Sequence, residues 1–378
     1  MKDAQAHGDR VNASGGRSPI ALIVTPRYLP LLGGMERECQ LLATAFAARG
    51  YSPLVLTEGL GQGLPRRERS GPIRVLRVPS SERRTLAVQL WVALVQALVL
   101  VLLRRRAAFA VVRTMTLPTL VVGLLKRLRL IRFPTLATAE TGGEADDVVA
   151  LARRPLFPVS RALADAHDAL NGICGFNVDH LREHGFAADR ITEIPNGIDT
   201  SAWAAARAPE TVRRLLFLGR LDREKGLFEL LEAFGALRER HPAVTLTFAG
   251  DGPERPRLEA QAPDGVTFLG RVAYEEVGAL LDAHDCLVLP SYSEGMPLSV
   301  LEAAVHRRFI VATDVGDLRR LLGDRARLVA PRDVAALRHA LEDLVAAERP
   351  SPPDYAALVA LVSIDAVADA MLRRLGVA

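Results

Sequence analysis

The chain reads as two successive runs of short apolar segments, each followed by a stretch with helical spacing, and this alternation confines it to parallel-sheet architectures. IALIV at 20–24 leads into GMERECQLLATAFAARG, and PLVLT, IRVLRV, FAVVRT and PTLATA continue the series, with helical stretches at 86–103 and 117–129. A second run opens with LLFLG at 215–219 and passes through LTFAG, VTFLG, CLVLP, FIVAT and ARLVA. Strands that alternate with helices form a parallel sheet, because a long crossover is needed to return each strand in the same direction. The expected class is therefore α/β, with two Rossmann-like parallel-sheet domains. With 378 residues, 49% of them hydrophobic, the chain has apolar material for two ordinary cores. Pro195-Asn196-Gly197 forces a turn between the runs. It divides the chain into a polar tail at 1–18, a first domain at 19–196 and a second at 197–361. The closing amphipathic helix, about 362–378, is expected to cross back onto the first domain. Ligands of open α/β sheets bind outside the carboxyl ends of the strands, so two facing sheets imply a cleft between the domains.

Composition removes several classes. Cys39, Cys174 and Cys286 are scattered and odd in number, which supplies neither a disulfide framework nor a metal-ligand cluster and suits a reducing cytoplasm. Residues 2–18 are polar and Gly-rich, and the apolar IALIV that follows is too short for a secretory signal, so no secretion is expected. The arginine runs at 66–69 and 104–106 lack interleaved aromatics in a chain that is only 5% aromatic, which disfavours nucleic acid as a partner. They suit acidic lipid headgroups or solubility. Only Lys2, Lys126 and Lys225 are lysines among 48 basic residues, which singles out Lys225.

LAVQLWVALVQALVLVLL, beginning at Leu86, has only Gln89 and Gln96 as polar residues and is followed by Arg104-Arg105-Arg106. At 1.5 Å per residue its 18 residues reach about 27 Å, marginal for a bilayer core. Three placements are open: a helix packed in the domain and partly covered, a helix dipping into an anionic membrane surface through residues 86–106, or a span.

The densest chemistry lies in PSYSEGMPLSVLEAA, at 290–304, where Glu294 and Glu302 stand eight positions apart around Gly295, Met296 and Pro297. CLVL before it is strand-like, and Pro297 suits a first helical position, giving strand, loop, helix. Unpaired N–H groups at such a helix start, about Gly295 to Ser299, invite an anion, while carboxylates accept from neutral hydroxyls. Phosphate plus polyhydroxyl describes a nucleotide or nucleotide-sugar. Other signals fall at strand ends: Gly33-Gly34 opening a helix, Gly219-Arg220 through Lys225-Gly226 with two cations flanking a turn, and Gly250-Asp251-Gly252. An arginine and a lysine converging on one point would neutralise a diphosphate.

Gly-Gly-x-Glu, IPNGID, GRLDREKG, GDGP, GRV and SEGMPLSVLE, in that order over 33–302, resemble glycosyltransferase family 4, whose members have the GT-B fold and transfer sugars from nucleotide-sugars with retention. The resemblance covers nearly the whole chain from Ile20 and is most specific from Ile194 to Ala304. It implies that Arg220 and Lys225 hold the donor diphosphate and stabilise the leaving group. It implies further that Glu294 contacts the transferred sugar and Glu302 the ribose. Gly33, Gly34, Gly219, Gly250, Gly295, Met296, Pro297 and Leu298 then complete the donor contacts. The implied partners are a nucleotide-sugar and a hydroxyl acceptor, a lipid-linked glycan or glycolipid at the inner face of a membrane. Lack of turnover, or a small soluble acceptor, is the alternative. No Asp-x-Asp occurs, so neither a metal nor another cofactor is expected.

Two departures stand out. The family often has a histidine after the strand matching PTLATA, where this chain reads AETGGEADD and has no histidine between His7 and His167. Glu140, Thr141 or Glu144 then occupies the acceptor side. Gly316-Asp317 stands where the family often has Gly-Gly. His180-Leu-Arg-Glu-His184 matches a zinc-protease pattern, but with no third ligand suggested its histidines are expected at the surface.

Overall fold

The computed structural model describes residues 18–30, 33–81, 83, 85–140, 146–351 and 353–378. The polar tail at 1–17 lies outside them. The chain divides into two compact units: residues up to Gly197 together with Ile364–Ala378, and Ile198–Ser363.

The first unit is built on eight strands: β1 (Ile20–Val24), β2 (Ser52–Glu58), β3 (Arg67–Ser70), β4 (Ile73–Val78), β5 (Ala107–Arg113), β6 (Thr135–Ala139), β7 (Ala169–Gly172) and β8 (Ile191–Glu193). Their order is β3-β4-β2-β1-β5-β6-β7-β8. All neighbours are parallel except β3 with β4. The alternation of β1 shows why the sheet is covered twice. Ala21 and Ile23 enter one core with Leu42, Phe46 and Phe109, while Ile20, Leu22 and Val24 enter a second with Val92 and Leu100. The C-terminal helix Ile364–Leu375 belongs to the first of these cores through Val367, Ala368, Met371, Leu372 and Leu375. Arg49 fixes it by donating to Asp369 at 2.6 Å and Asp365 at 2.9 Å.

The arginine run at 66–69 contributes the antiparallel edge strand β3, with Arg77 buried in an ion pair to Glu68 at 2.6 Å. The apolar stretch is one helix, Leu86–Leu103, capped by Thr85. It packs on the first unit and is partly covered: Val92, Gln96 and Leu100, 17% of its residues, are buried, and Val88, Val95, Val99 and Leu103 pack half-buried against the same core.

The second unit has β9 (Arg214–Leu218), β10 (Thr245–Ala249), β11 (Val266–Gly270), β12 (Cys286–Leu289), β13 (Phe309–Thr313) and β14 (Arg327–Val329). All pairs are parallel, in the order β11-β10-β9-β12-β13-β14. This is the doubly wound Rossmann order, whose strand sequence reverses between β9 and β12. The loops that leave those two strands flank the crevice where ligands of such sheets bind.

Candidate functional site

The motifs of the second unit that carry charge or an open helix start lie in loops after β9, β10 and β12, on the carboxyl side of the sheet. The loop after β9 carries Arg220, ends in a short turn at Arg223–Lys225, and enters the helix Leu227–Arg240 through Gly226. Gly226 is left-handed, with φ of 63°, and a methyl group there would lie 2.1 Å from the carbonyl oxygen of Pro290. The tight turn thus presses Lys225 against the loop after β12. Tyr292 N donates to Glu224 O at 2.8 Å across the same contact.

The consequence is a polar constellation at the switch point. Lys225 Nζ donates to Glu294 Oε1 at 2.6 Å, and Ser291 Oγ donates to the same oxygen at 2.6 Å. The lysine is one quarter exposed and Glu294 one tenth. Thr313, ending β13, holds the Ser291 carbonyl through its hydroxyl. Gly316, with φ of 56°, brings its backbone so close that a methyl group would lie 2.3 Å from the Glu294 carbonyl oxygen. The Gly316-Asp317 departure therefore retains the glycine on which the loop rests. Asp317 stands at the N-cap position of the next helix, and its carboxylate accepts from Arg320 at 3.0 Å.

The helix that follows begins one residue later than the sequence suggests. Pro297 is its N-cap, with ψ of 121°, and the helix runs Leu298–Val305. Extended ψ is what the chain needs to leave the Gly295-Met296 turn, and Val300 N then donates back to Pro297 O at 3.2 Å. The N–H groups of Leu298 and Ser299 precede the first intrahelical bond, so the positive end of the helix opens beside Glu294. Met296 and Pro297 are buried beneath it, Gly295 is half-buried, and Glu302, half-buried, lies one turn beyond Leu298 on the same face.

Arg220 stands apart from this cluster. Its guanidinium is two-thirds exposed and donates to Asp222 at 2.6 Å, so each expected phosphate ligand is held by a different carboxylate. Gly219 and Gly250 directly follow their strands, with Gly219 N donating to Ala249 O at 3.0 Å and Gly250 N to Gly270 O at 2.8 Å.

In the first unit, Gly33 is the N-cap of the helix Gly34–Ala48 and Gly34 its first residue. A methyl group on Gly33 would meet the Glu36 carboxylate at 2.3 Å, so that carboxylate folds over the helix start. Glu140 closes β6 with its side chain buried in an ion pair to Arg113. Arg113 also pairs with the buried Glu38, whose other oxygen accepts from Gly197 N at 2.9 Å. One guanidinium shared by two buried carboxylates leaves an excess negative charge. Burial accordingly pushes Glu140 up to about 8 against the pull of Arg113, with Glu38 adding to the rise. Burial likewise pushes Asp147 up to about 7, although the N–H groups of Met115 and Glu140 donate to it. Thr141 and Glu144 lie outside the described residues.

The histidines of the H-x-x-E-H pattern are not plain surface residues. His180 is about four-fifths buried, with Nδ1 3.2 Å from the buried Asp146, and His184 Nδ1 sits 2.9 Å from the His180 carbonyl. They turn inward because Asp146 caps the neighbouring helix and draws His180 and Asn177 to its second oxygen. Sequence reasoning missed Glu38, Ser291 and Asp222 as partners. Ser291 lay inside the quoted PSYSEG stretch, whereas nothing local marks Glu38 as the acceptor for a turn so far along the chain.

Two family models match this chain: one described as Glycosyltransferase Family 4 over residues 32–202, and one described as Glycosyl transferases group 1 over 212–347. A glycogen synthase of Mycobacterium tuberculosis (strain H37Rv) is 35% identical over 229 residues, which are 57% of this chain and 55% of that protein. A putative teichuronic acid biosynthesis glycosyltransferase of Bacillus subtilis (strain 168) is 41% identical over 134 residues, 35% of this chain and 33% of that one. The match thus spans about half the length of the first relative and a third of the second. The solved sucrose-phosphate synthase of Thermosynechococcus elongatus superposes with a TM-score of 0.73 at 22% identity, over 94% of this chain and 98% of that one.

Proposed function

This chain belongs to glycosyltransferase family 4 and has the GT-B fold, and from that premise we propose that it moves a sugar from a nucleoside-diphosphate sugar to a hydroxyl acceptor with retention of configuration. The observation that carries the reading is the Lys225–Glu294–Ser291 constellation at the Rossmann switch point, beside the open start of the Leu298–Val305 helix. A diphosphate entering there meets a cation, two helix N–H groups and, after rotation away from Asp222, Arg220. Lys225 then exchanges Glu294 for phosphate. The released carboxylate accepts from hydroxyls of the transferred sugar, while Glu302 accepts from the ribose.

In the transfer, the acceptor oxygen bonds to the anomeric carbon on the face from which the diphosphate departs. The anomeric C–O bond breaks with its electron pair going to the diphosphate, and the acceptor proton passes to the departing phosphate oxygen. Lys225, Arg220 and the helix start stabilise the charge that develops there, so the reaction needs no obligatory metal.

The acceptor in this reading is a lipid-linked glycan or glycolipid, reached at the cytoplasmic face of a membrane that residues 86–106 contact. The test is release of nucleoside diphosphate from a panel of sugar donors with lipid extract as acceptor, followed by the anomeric configuration of the product by NMR. Retained configuration is expected; inversion would refute the stereochemistry. A rival reading, a nucleotide-sugar binder without turnover, is favoured by the lack of a histidine between His7 and His167. It predicts nucleotide binding with no diphosphate released for any acceptor.

A further inference from the structure

The Leu86–Leu103 helix turns most of its leucines to solvent. Its polar Gln96 is fully buried against the sheet, with neither amide atom hydrogen-bonded, while Leu86, Leu90, Leu94, Leu98 and Leu102 are 57–72% exposed. A four-residue spacing sets these leucines in one row about 24 Å long. Leu124 of the neighbouring helix Leu117–Arg127, and Leu128 that caps its end, are also exposed. A face of this kind on a soluble unit is a contact surface. The opposite edge of the helix, Val92 and Leu100, is locked into the core with Leu22 and Val112, so the helix lies flat on the unit and would have to leave that core to span a bilayer.

The charge around the face identifies what it meets. Residues 83–139 contain ten Lys and Arg and not one Asp or Glu; Arg113 is buried with Glu38 and Glu140 and Lys126 pairs with Asp168, which leaves eight to set the charge around the face. At the end of the helix the chain turns through Arg104-Arg105-Arg106, with Arg106 N donating to Leu103 O at 2.8 Å. There Arg106 approaches Arg74 of β4, which faces Arg69 across the β3–β4 pair. None of these three guanidiniums has an ion-pair partner among the described residues. Burial, together with the charges of Arg106 and Arg69, pulls Arg74 below the usual arginine value. Arg74 donates to Ser52 Oγ at 3.1 Å, and its buried Nε has no hydrogen-bond partner among the described residues. Like charges gathered without a counter-ion are stabilised by a bound anion.

We propose that the leucine row docks on the surface of an anionic phospholipid leaflet, with Arg69, Arg74 and Arg106 at its end gripping a lipid phosphate. The leucines enter the acyl boundary while the guanidiniums stay at headgroup level, as an interfacial helix requires. The inference rests on the membrane-contact part of the reading above and not on sugar transfer, so it stands or falls without the donor.

The test is flotation of the full chain with vesicles of phosphatidylcholine alone and of phosphatidylcholine mixed with phosphatidylglycerol. Binding to the mixed vesicles, weakening as salt rises, is expected. Because Leu90 and Leu94 face solvent, a Leu90→Glu, Leu94→Glu chain keeps its thermal unfolding midpoint and loses flotation. Arg74→Gln with Arg106→Gln lowers binding to anionic vesicles by at least tenfold, at about fivefold per arginine, and leaves the residual binding to phosphatidylcholine unchanged. Inorganic phosphate at millimolar concentration does not displace the chain; displacement would mean a site for the free ion instead of a lipid. No flotation with either vesicle would overturn the proposal. So would a wild-type dimer that the leucine variant converts to monomer without any vesicle binding, since a second copy would then own the face.

Discussion

Replacement of Lys225 by alanine probes the constellation at the switch point most sharply. The ammonium lies 2.6 Å from Glu294 Oε1, and the carboxylate retains Ser291 Oγ at 2.6 Å when the lysine is removed. The pair is only partly buried, 25% and 10% exposed, so its loss is expected to cost about 1–2 kcal/mol of stability, between surface and buried pairs. The effect on rate is larger. A unit charge about 4 Å from developing negative charge is worth roughly 4 kcal/mol at an effective dielectric constant of about 20. Arg220 and the N–H groups of Leu298 and Ser299 recover part of this, leaving a loss of about 10²- to 10³-fold in turnover. The assay is steady-state release of nucleoside diphosphate by wild type and variant, with circular dichroism melting to show that the fold persists. Lys225→Arg keeps the charge and is expected to retain more activity than Lys225→Ala. Turnover of the alanine variant within twofold of wild type, in a folded protein, would refute the assigned role.

Other outcomes follow from single contacts. Gly226→Ala forces a side chain into φ of 63° with the Pro290 carbonyl oxygen 2.1 Å away, so nucleotide affinity is expected to drop at least tenfold in titration calorimetry. Gly376→Ala, with φ of 67° but nothing within 4 Å, bears only the backbone strain and is expected to leave affinity unchanged. Glu140 has a folded value, about 8, above its ordinary 4.5, so the folded state holds the extra proton between those values. The stability it contributes is full below pH 4.5 and is lost as pH rises through about 8, and Glu140→Gln should flatten that decline in melting profiles recorded from pH 5 to 9. Glu38→Ala leaves the buried Gly197 N without its acceptor while Glu140 still pairs with Arg113, with an expected loss of about 1–3 kcal/mol by denaturant unfolding.

The strands of both sheets are largely legible because they are apolar runs between turn residues. β3, Arg67–Ser70, escaped because an edge strand with all four residues exposed carries no hydrophobic pattern. The donor-side motifs were readable because each is a local device, a glycine turn or a helix start, at a strand end. Their pairing was not readable. Lys225 and Glu294 are 69 positions apart, and only the Rossmann strand order makes their loops neighbours. The same holds for Glu38 and Gly197, 159 positions apart, and for Arg113, which a sequence reader takes for one more surface arginine although it is 1% exposed. The apolar helix was readable as a helix, whereas which edge faces the core depends on the sheet beneath it, which draws in Gln96 and leaves the leucines out.

The most direct test of a nucleotide-sugar site in the second unit is titration calorimetry of UDP, GDP and ADP, without metal, into the wild-type chain and into Glu302→Ala. Glu302 stands one helical turn beyond Leu298, at the open helix start. A site of that kind requires that one of the three nucleotides binds and that the variant weakens the binding about tenfold or more, as expected for the loss of a carboxylate bonded to ribose hydroxyls. Binding of none of them, or equal affinity in the variant, would contradict it.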